Sequence, residues 1–298
     1  MSRATVRGAR SSEPDRPVSP APVKVSVITV CRNGVDCIDA AVASVLSQDY
    51  PDLEYVVVDG ASDDGTLERL ERWGERISVL VSEPDEGLYD AMNKGIALAS
   101  GDVVAFLHAD DVYHSRTAVS RMMAPFLASD ALDVAIADVV YVTAEQRDRV
   151  RRLYSSRRFR PWKMRFGWMP PHLATFVRRR AYERHGLYRT DYRISADYEL
   201  LVRLLWRARV PWTRVDEIVV RMTYGGLSTA GWRSSVTLNR EIVRACRGNG
   251  LFTALPLVLS KIPLKLLELV SPVPAGGRTL GAAPAPEEGL PPAGGGLR

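Results

Sequence analysis

From residue 23 onward the chain repeats one pattern: a short apolar run, a polar break, then apolar positions three and four residues apart. Val23–Val30 is a β-branched run, after which Val35, Ile38, Val42, Val45 and Leu46 recur at helical spacing. Leu53–Val58 is the second run and ends at Asp59; Thr66–Trp73 then reads as a helix and Ile77–Val81 as a third strand. Leu88, Ala91, Met92, Gly95, Ile96 and Ala99 make a helical stripe, and Val103–Leu107 follows as a fourth strand. Continuous apolar runs bounded by turn residues mark strands covered on both faces. Their alternation with helices across short connections predicts an α/β fold with a mostly parallel central sheet flanked by helices.

Both ends break the pattern. Residues 1–22 are rich in Arg, Ser and Pro without an apolar core, so they read as a disordered arm and not as a signal peptide. From Ser271 to Arg298 Pro, Gly and Ala dominate, which predicts a disordered tail. Within 298 residues, 46% hydrophobic and 25% charged, this leaves an ordered body of ordinary globular composition. Cys31, Cys37 and Cys246 are widely spaced and odd in number. That excludes a disulfide framework and a CxxC-type zinc site, and it fits a reducing, cytoplasmic setting.

The candidate chemistry lies where the strands end. The first is followed by Asn33-Gly34, the second by Asp59-Gly60-Ala61-Ser62-Asp63-Asp64-Gly65-Thr66, the third by Ser82-Glu83-Pro84-Asp85-Glu86-Gly87. The fourth runs into His108-Ala109-Asp110-Asp111. In a parallel sheet these loops leave by one edge, which is where open α/β sheets bind ligands. Neither GxGxxG nor GxxxxGK[ST] is present, so a dinucleotide site and a P-loop are both unsupported. Adjacent carboxylates at a strand end suit Mg²⁺ or Mn²⁺ holding a substrate's phosphates, although a solvated loop with Asp111 as a helix cap reads equally well in isolation. Asp59 is placed to accept hydrogen bonds from a base or ribose, and Asp59-Gly60 is also an ordinary turn.

Three segments carry a resemblance. Val56–Gly60 with Ser62-Asp63-Asp64-Gly65-Thr66 looks like the first motif of the family 2 glycosyltransferases. Glu83-Pro84-Asp85-Glu86-Gly87-Leu88-Tyr89-Asp90-Ala91-Met92-Asn93-Lys94-Gly95 resembles that family's donor-site helix, and Ala109-Asp110-Asp111 its acidic metal motif. The likeness covers roughly residues 24–245, with His108 standing where Asn or Asp is expected. It implies a GT-A fold over 23–248, with a nucleotide-sugar half (about 23–140) and an acceptor half (about 141–248); the residues of 249–270 themselves read as an amphipathic helical appendage. It also implies a nucleotide-sugar donor, a divalent cation (Mn²⁺ or Mg²⁺) and inversion at the anomeric carbon. On this resemblance Asn33, Asp59, Gly87, Asp90 and Asp110 form the donor site and Asp111 holds the metal. Lys94 adds a positive charge near phosphate or sugar, or else simply faces solvent.

An inverting transfer needs a base for the acceptor hydroxyl. The resemblance points to Asp197, in Ile194-Ser195-Ala196-Asp197-Tyr198-Glu199, at the start of a downstream helix, with Glu199 as second candidate. Acidic residues also favour a helix's first turn for structural reasons, and the dipole is expected to lower the pKa of Asp197. Between metal motif and base, Trp162–Phe176 contains Pro170 and Pro171 and reads as a loop over the site, with His172 reaching diphosphate or acceptor, or serving structure. Thr190–Arg193 and Gly225–Thr229 are candidate further walls.

Charge changes the picture in one place. Of the formal net charge of +5, nine basic residues against Asp148 fall between Arg147 and Arg165. Such a run faces anionic lipid, a polyanionic acceptor or plain solvent; nucleic acid would leave the acidic motifs unexplained. Leu251–Val270 is apolar but interrupted by Pro256, Pro263, Lys261, Lys265 and Glu268, which suits an interfacial or packed helix better than a spanning one. The sequence therefore predicts a transferase adding one sugar to a saccharide or glycolipid acceptor, cytoplasmic or peripheral at the inner membrane face. A sugar nucleotidyltransferase and a membrane- or polyanion-binding module with a degenerate donor site are the alternatives.

Overall fold

The computed structural model describes residues 23–143, 146, 148–223 and 232–261. The expected arm at 1–22, the Gly225–Thr229 loop, residues 262–270 and the tail at 271–298 lie outside the described residues.

The first half follows the strand and helix alternation of the sequence. In chain order come β1 (Val25–Cys31), α1 (Ile38–Leu46), β2 (Leu53–Asp59), α2 (Thr66–Glu71), β3 (Val79–Ser82), α3 (Leu88–Leu98) and β4 (Val103–Phe106). Every residue of β1 and β4 is buried, so β4 is a continuous apolar run and β1 admits only the small polar residues Ser26 and Thr29 among its apolar ones. β2 and β4 pair parallel with β1 on either side, and β3 pairs parallel with β2. The chain thus winds outward to β3 and then steps back across β1 to form β4. That reversal opens a crevice at the carboxyl ends of β1 and β4, where the Asn33 and Asp110-Asp111 loops emerge.

Two features hold this scaffold close. A Cβ on Gly95 would stand 2.5 Å from Cγ2 of Ile28, so α3 lies on β1 only because residue 95 has no side chain. At the amino edge of the sheet Glu54 accepts from Ser26 Oγ, from Ser100 N and Oγ at 2.8 and 2.6 Å, and from Lys24 Nζ at 3.0 Å. Burial pushes its pKa up, but these donors outweigh it and bring the carboxyl down to about 2.

The second half comprises β5 (Val112–Tyr113), α4 (Ala118–Ala128), β6 (Val134–Val142), β7 (Arg152–Tyr154), β8 (Thr175–Arg178), α5 (Arg179–His185), α6 (Ala196–Val202), β9 (Trp212–Thr223), α7 (Trp232–Gly248) and α8 (Leu255–Leu259). The sheet continues in the order β4-β8-β6-β9-β5, with β7 on β6. Here the α/β expectation needs refinement, because β8 runs antiparallel to both β4 and β6, β7 to β6 and β5 to β9. Parallel pairing requires a long crossover, which the short return from β6 to β7 does not supply, whereas β9 pairs parallel with β6. α6 runs on into a π-helical turn over Arg203–Arg207. α8 packs on α7 and on the 3₁₀ turn Pro161–Phe166. Among the described residues, no helix is long and apolar enough to cross a membrane.

Candidate active site

The loops after β1 and β2 are laced together. Asn33, at φ 56°, accepts from Asp63 N at 3.1 Å through Oδ1, and its own N–H donates to Ser62 Oγ at 2.8 Å. Val35 N donates to Asp64 Oδ2 and Gly34 N to Thr66 Oγ1 at 3.0 and 2.9 Å. Asp59 ends β2 as expected, but it is fully buried and its carboxylate accepts from Ser62 N at 3.0 Å, Ser82 Oγ at 2.6 Å and Ser62 Oγ. These bonds tie the β2 and β3 loops to each other, so Asp59 shapes the crevice without projecting into it. The Asp85 carboxylate stands directly against Gly60, where any side chain at residue 60 would collide with it.

Gly87 delivers the chain into α3 at φ 123° and ψ 176°, a conformation essentially reserved for glycine. Asp90 then accepts from Glu86 N at 3.1 Å and caps the helix start. Lys94 departs from the expected role. Its ammonium lies 2.9 Å from Glu83, 3.4 Å from Asp90 and 2.8 Å from the Pro84 carbonyl. The charge pins the loop after β3 to α3, and the bond to Glu83 raises the pKa of the lysine.

Across the crevice, Asp110 is half-buried, and among the described residues no side chain or backbone group donates to its carboxylate. Asp111 is 3% exposed and accepts from Thr223 N at 2.7 Å, while the Asp110 carbonyl accepts from Thr223 Oγ1 at 2.6 Å. The end of β9 is thereby fastened to the acidic pair. Among the described residues no group of three or more His, Cys, Asp or Glu side chains could hold a metal ion. Two adjacent carboxylates are nevertheless the donor set that fits a hard divalent cation drawing its other ligands from diphosphate oxygens and water.

Asp197 lies in the first turn of α6. Its Oδ1 accepts from Tyr198 N at 2.8 Å and stands 3.3 Å from the hydroxyl of Tyr89, which also donates to the Ile194 carbonyl at 2.5 Å. The expected depression of its pKa is not found. Burial raises it from 3.8 to about 6, against the Tyr198 and Tyr89 bonds and with the negative charge of Glu241 acting in the same direction. Desolvation outweighs the hydrogen bonds that favour the charged form, though the residue keeps part of its surface exposed. Glu199 drops out as second candidate: it is buried, paired with Arg203 at 2.9 Å and bonded to Asn249 Nδ2 at 3.0 Å.

An aromatic wall joins the two sides. His172 Nε2 lies 2.7 Å from the Tyr188 hydroxyl, and its ring stacks on His108 with centroids 6.2 Å apart and tilts against Phe106 at 5.6 Å. Tyr188 stacks in turn on Tyr89 at 6.0 Å. Burial lowers the pKa of both His172 and His108 to about 4. Both are therefore neutral at pH 7, and His172, expected either to reach diphosphate or acceptor or to serve structure, has its Nε2 engaged with the Tyr188 hydroxyl. The later part of the Trp162–Phe176 segment is likewise packed: Pro170 and Pro171 are buried and the Met169 carbonyl accepts from Tyr154 at 2.6 Å. In Thr190–Arg193, Asp191 is held by Arg189 at 2.7 Å and by Arg244, and Tyr192 lies under both guanidiniums.

Four residues of this arrangement had no role assigned from sequence. Tyr89 reaches the Asp197 carboxylate at 3.3 Å. Asn93 exchanges hydrogen bonds of 2.8 and 3.0 Å with the backbone of Tyr188. Glu241 of α7 accepts from the N–H groups of Arg193, Ile194 and Ser195 at 2.7, 3.0 and 2.9 Å, fixing the entry to α6. Tyr89 and Asn93 did leave a trace, as polar residues four apart beside an apolar helical stripe. Tyr188 and Glu241 left none, because their partners are distant in sequence.

Residues 26–186 match the family described as Glycosyl transferase family 2. A PGL/p-HBAD biosynthesis glycosyltransferase of Mycobacterium bovis is 30% identical over 209 residues, 68% of this chain and 78% of that protein. An uncharacterized glycosyltransferase of Mycobacterium tuberculosis is 34% identical over 186 residues, 60% of this chain and 68% of the relative. Among solved structures, a mannosyltransferase from Pyrobaculum calidifontis in complex with GDP-Man and Mn²⁺ superposes with a TM-score of 0.59 at 20% identity, over 89% of this chain and 81% of that one. At that identity the structural likeness is one of fold. The nucleotidyltransferase alternative gives way, and the chain belongs to glycosyl transferase family 2, as a glycosyltransferase built on the GT-A fold.

Proposed function

We propose that the enzyme is an inverting, metal-dependent transferase that moves one sugar from a nucleoside-diphosphate sugar to a hydroxyl of a lipid-linked saccharide or glycolipid. The observation that carries this reading is Asp197: a carboxyl tuned to about 6, bonded to the donor helix through Tyr89 and standing along the aromatic wall from Asp110-Asp111. A base poised near 6 is ionised at neutral pH yet basic enough to accept a proton in the transition state. In the reaction the acceptor oxygen forms a bond to the anomeric carbon while the bond from that carbon to the diphosphate breaks. The hydroxyl proton passes to the Asp197 carboxylate, and the nucleoside diphosphate leaves with the electron pair. Attack from the side opposite the leaving group inverts the centre.

Asp110 and Asp111 would hold Mn²⁺ or Mg²⁺, which when bound supplies positive charge against the departing diphosphate. The relation to a glycosyltransferase of PGL/p-HBAD biosynthesis supports a glycolipid acceptor, and the fold shared with a transferase crystallised with GDP-Man and Mn²⁺ supports the donor class and the metal. The loops that line the crevice contribute order: Asn33 and Asp59 hold its rim, and Gly87 and Asp90 aim the start of α3.

The test is thermal denaturation with UDP, GDP and dTDP, each with and without Mn²⁺. One nucleotide is expected to stabilise the protein only with the metal, by about 2.7 kcal/mol at a hundredfold excess over Kd. Asp111→Asn removes the charge while leaving an acceptor for Thr223 N, so it should abolish the metal-dependent part and retain the fold. Stabilisation by none of the three nucleotides sinks the proposal, and a product whose anomeric configuration matches the donor sinks its inverting form.

A further inference from the structure

The sequence holds two features 90 residues apart, a basic run and an apolar C-terminal segment, and the fold brings them onto one surface. The 3₁₀ turn Pro161–Phe166 and the stretch Leu251–Lys261 are pinned together: Thr253 Oγ1 donates to the Arg165 carbonyl at 2.5 Å, Arg165 Nε to the Phe252 carbonyl at 3.2 Å and Lys261 Nζ to the Gly167 carbonyl at 3.5 Å. Their apolar tips are left in water. Trp162 is 48% exposed, Phe252 69%, Leu255 43% and Leu259 37%. Around them, residues 157–165 carry five basic side chains and no acidic one. Among the described residues, none of these five forms an ion pair; Lys163 lies over the Trp162 ring at 5.9 Å and Arg165 over Phe252 at 5.7 Å.

We infer that this face docks on an anionic lipid surface. The occupant follows from the combination. Basic side chains near a negatively charged leaflet each favour binding about fivefold, and aromatic rings prefer the level of the headgroups. A soluble polyanion would use the charges and leave Trp162 and Phe252 against water. A second copy of this face would meet the same positive charge and be repelled. The surface also has a fixed relation to the site: Tyr198, next to the proposed base, donates through its hydroxyl to the Met164 carbonyl, and Cys246 of α7 contacts the same oxygen at 3.6 Å. Docking thereby holds α6 and its opening Asp197 toward acceptors anchored in the membrane. The purpose of docking rests on the proposed lipid-linked acceptor; the docking test does not.

The test is co-sedimentation of the full-length protein with phosphatidylcholine vesicles, with and without phosphatidylglycerol. Partitioning should rise at least tenfold with the anionic lipid and fall with added salt. Trp162→Ser with Phe252→Ser, and separately Arg158→Glu with Lys163→Glu, should each lower it about tenfold or more. Both double variants should keep the metal-dependent nucleotide stabilisation, since all four positions lie outside the donor crevice. Equal binding to both vesicles, or unchanged binding by either double variant, overturns the inference. In particular, loss by the charge variant alone would make the face a polyanion site. If docking holds but no nucleotide stabilises the protein, the transferase proposal fails by itself.

Discussion

At the scale of single residues, the proposed mechanism turns on one carboxyl whose pKa is set by opposing contacts. Burial moves Asp197 up to about 6, and the hydrogen bonds from Tyr198 N and the Tyr89 hydroxyl favour its charged form and work against that rise. The groups facing it from the packed elements are Tyr89 on α3, Tyr188 in the wall and Glu241 on α7. Removing the phenol oxygen in Tyr89→Phe takes away a donor to the anion, so the pKa must rise further. The acid limb of kcat against pH should move up by as much as about one unit, with little change in kcat on the alkaline plateau. An unmoved limb would mean that Tyr89 only packs.

At the scale of elements, α3 and α7 matter for what they hold. α3 carries the Gly87 turn, the Tyr89 contact and the Asn93–Tyr188 exchange, and it reaches them because Gly95 allows it to lie on Ile28 of β1. α7 contributes Glu241, whose carboxylate gathers three backbone N–H groups ahead of α6. That anion also raises the pKa of Asp197 through space. Glu241→Gln keeps one oxygen to accept from Ile194 N and Ser195 N, gives up the acceptor of Arg193 N and loses the charge. Its acid limb should shift to lower pH, opposite in sign to Tyr89→Phe, and a pH–rate profile of both variants measures this. A shift in the same direction for both would show that general loosening, and not local charge, sets the profile.

At the scale of the whole molecule, the crevice between β1 and β4 exists because the chain reverses its winding there, and the mixed second half of the sheet closes one wall of it. On the proposed role of Asp197, function and stability oppose each other at this wall. With a folded pKa near 6 and an ordinary value of 3.8, Asp197 stabilises the native state through its bound proton at low pH, and that contribution is lost as pH rises through 6. Asp197→Asn should therefore be more stable than the wild type above pH 6, by about 1–3 kcal/mol, and no more stable below 3.8. Activity should fall roughly 10²- to 10⁴-fold. Denaturant unfolding at pH 4 and pH 7.5, beside a rate assay, reads both; equal stability at the two pH values would place the carboxyl in a wetter setting than its burial implies.

What the sequence determined by itself was local and periodic. Apolar runs and helical stripes located β1 to β4 and α1 to α3 within about three residues, because strands buried on both faces and helices packed on a sheet leave those periods in the chain. Gly87, Asp110-Asp111 and Asp197 were legible for a related reason: a glycine-only backbone, a paired charge and an acidic helix start are each visible within a few residues. Contacts decided the rest. Lys94 became a loop clamp, His172 a neutral wall residue, Glu199 half of a buried pair and Asp197 an acid with a raised pKa, because desolvation and partners from distant segments set each outcome. The pairing of β8 with β4 and β6, the reach of Glu241 to the turn before α6 and the meeting of Arg165 with Phe252 likewise join segments far apart in sequence, where periodicity carries no record of who meets whom.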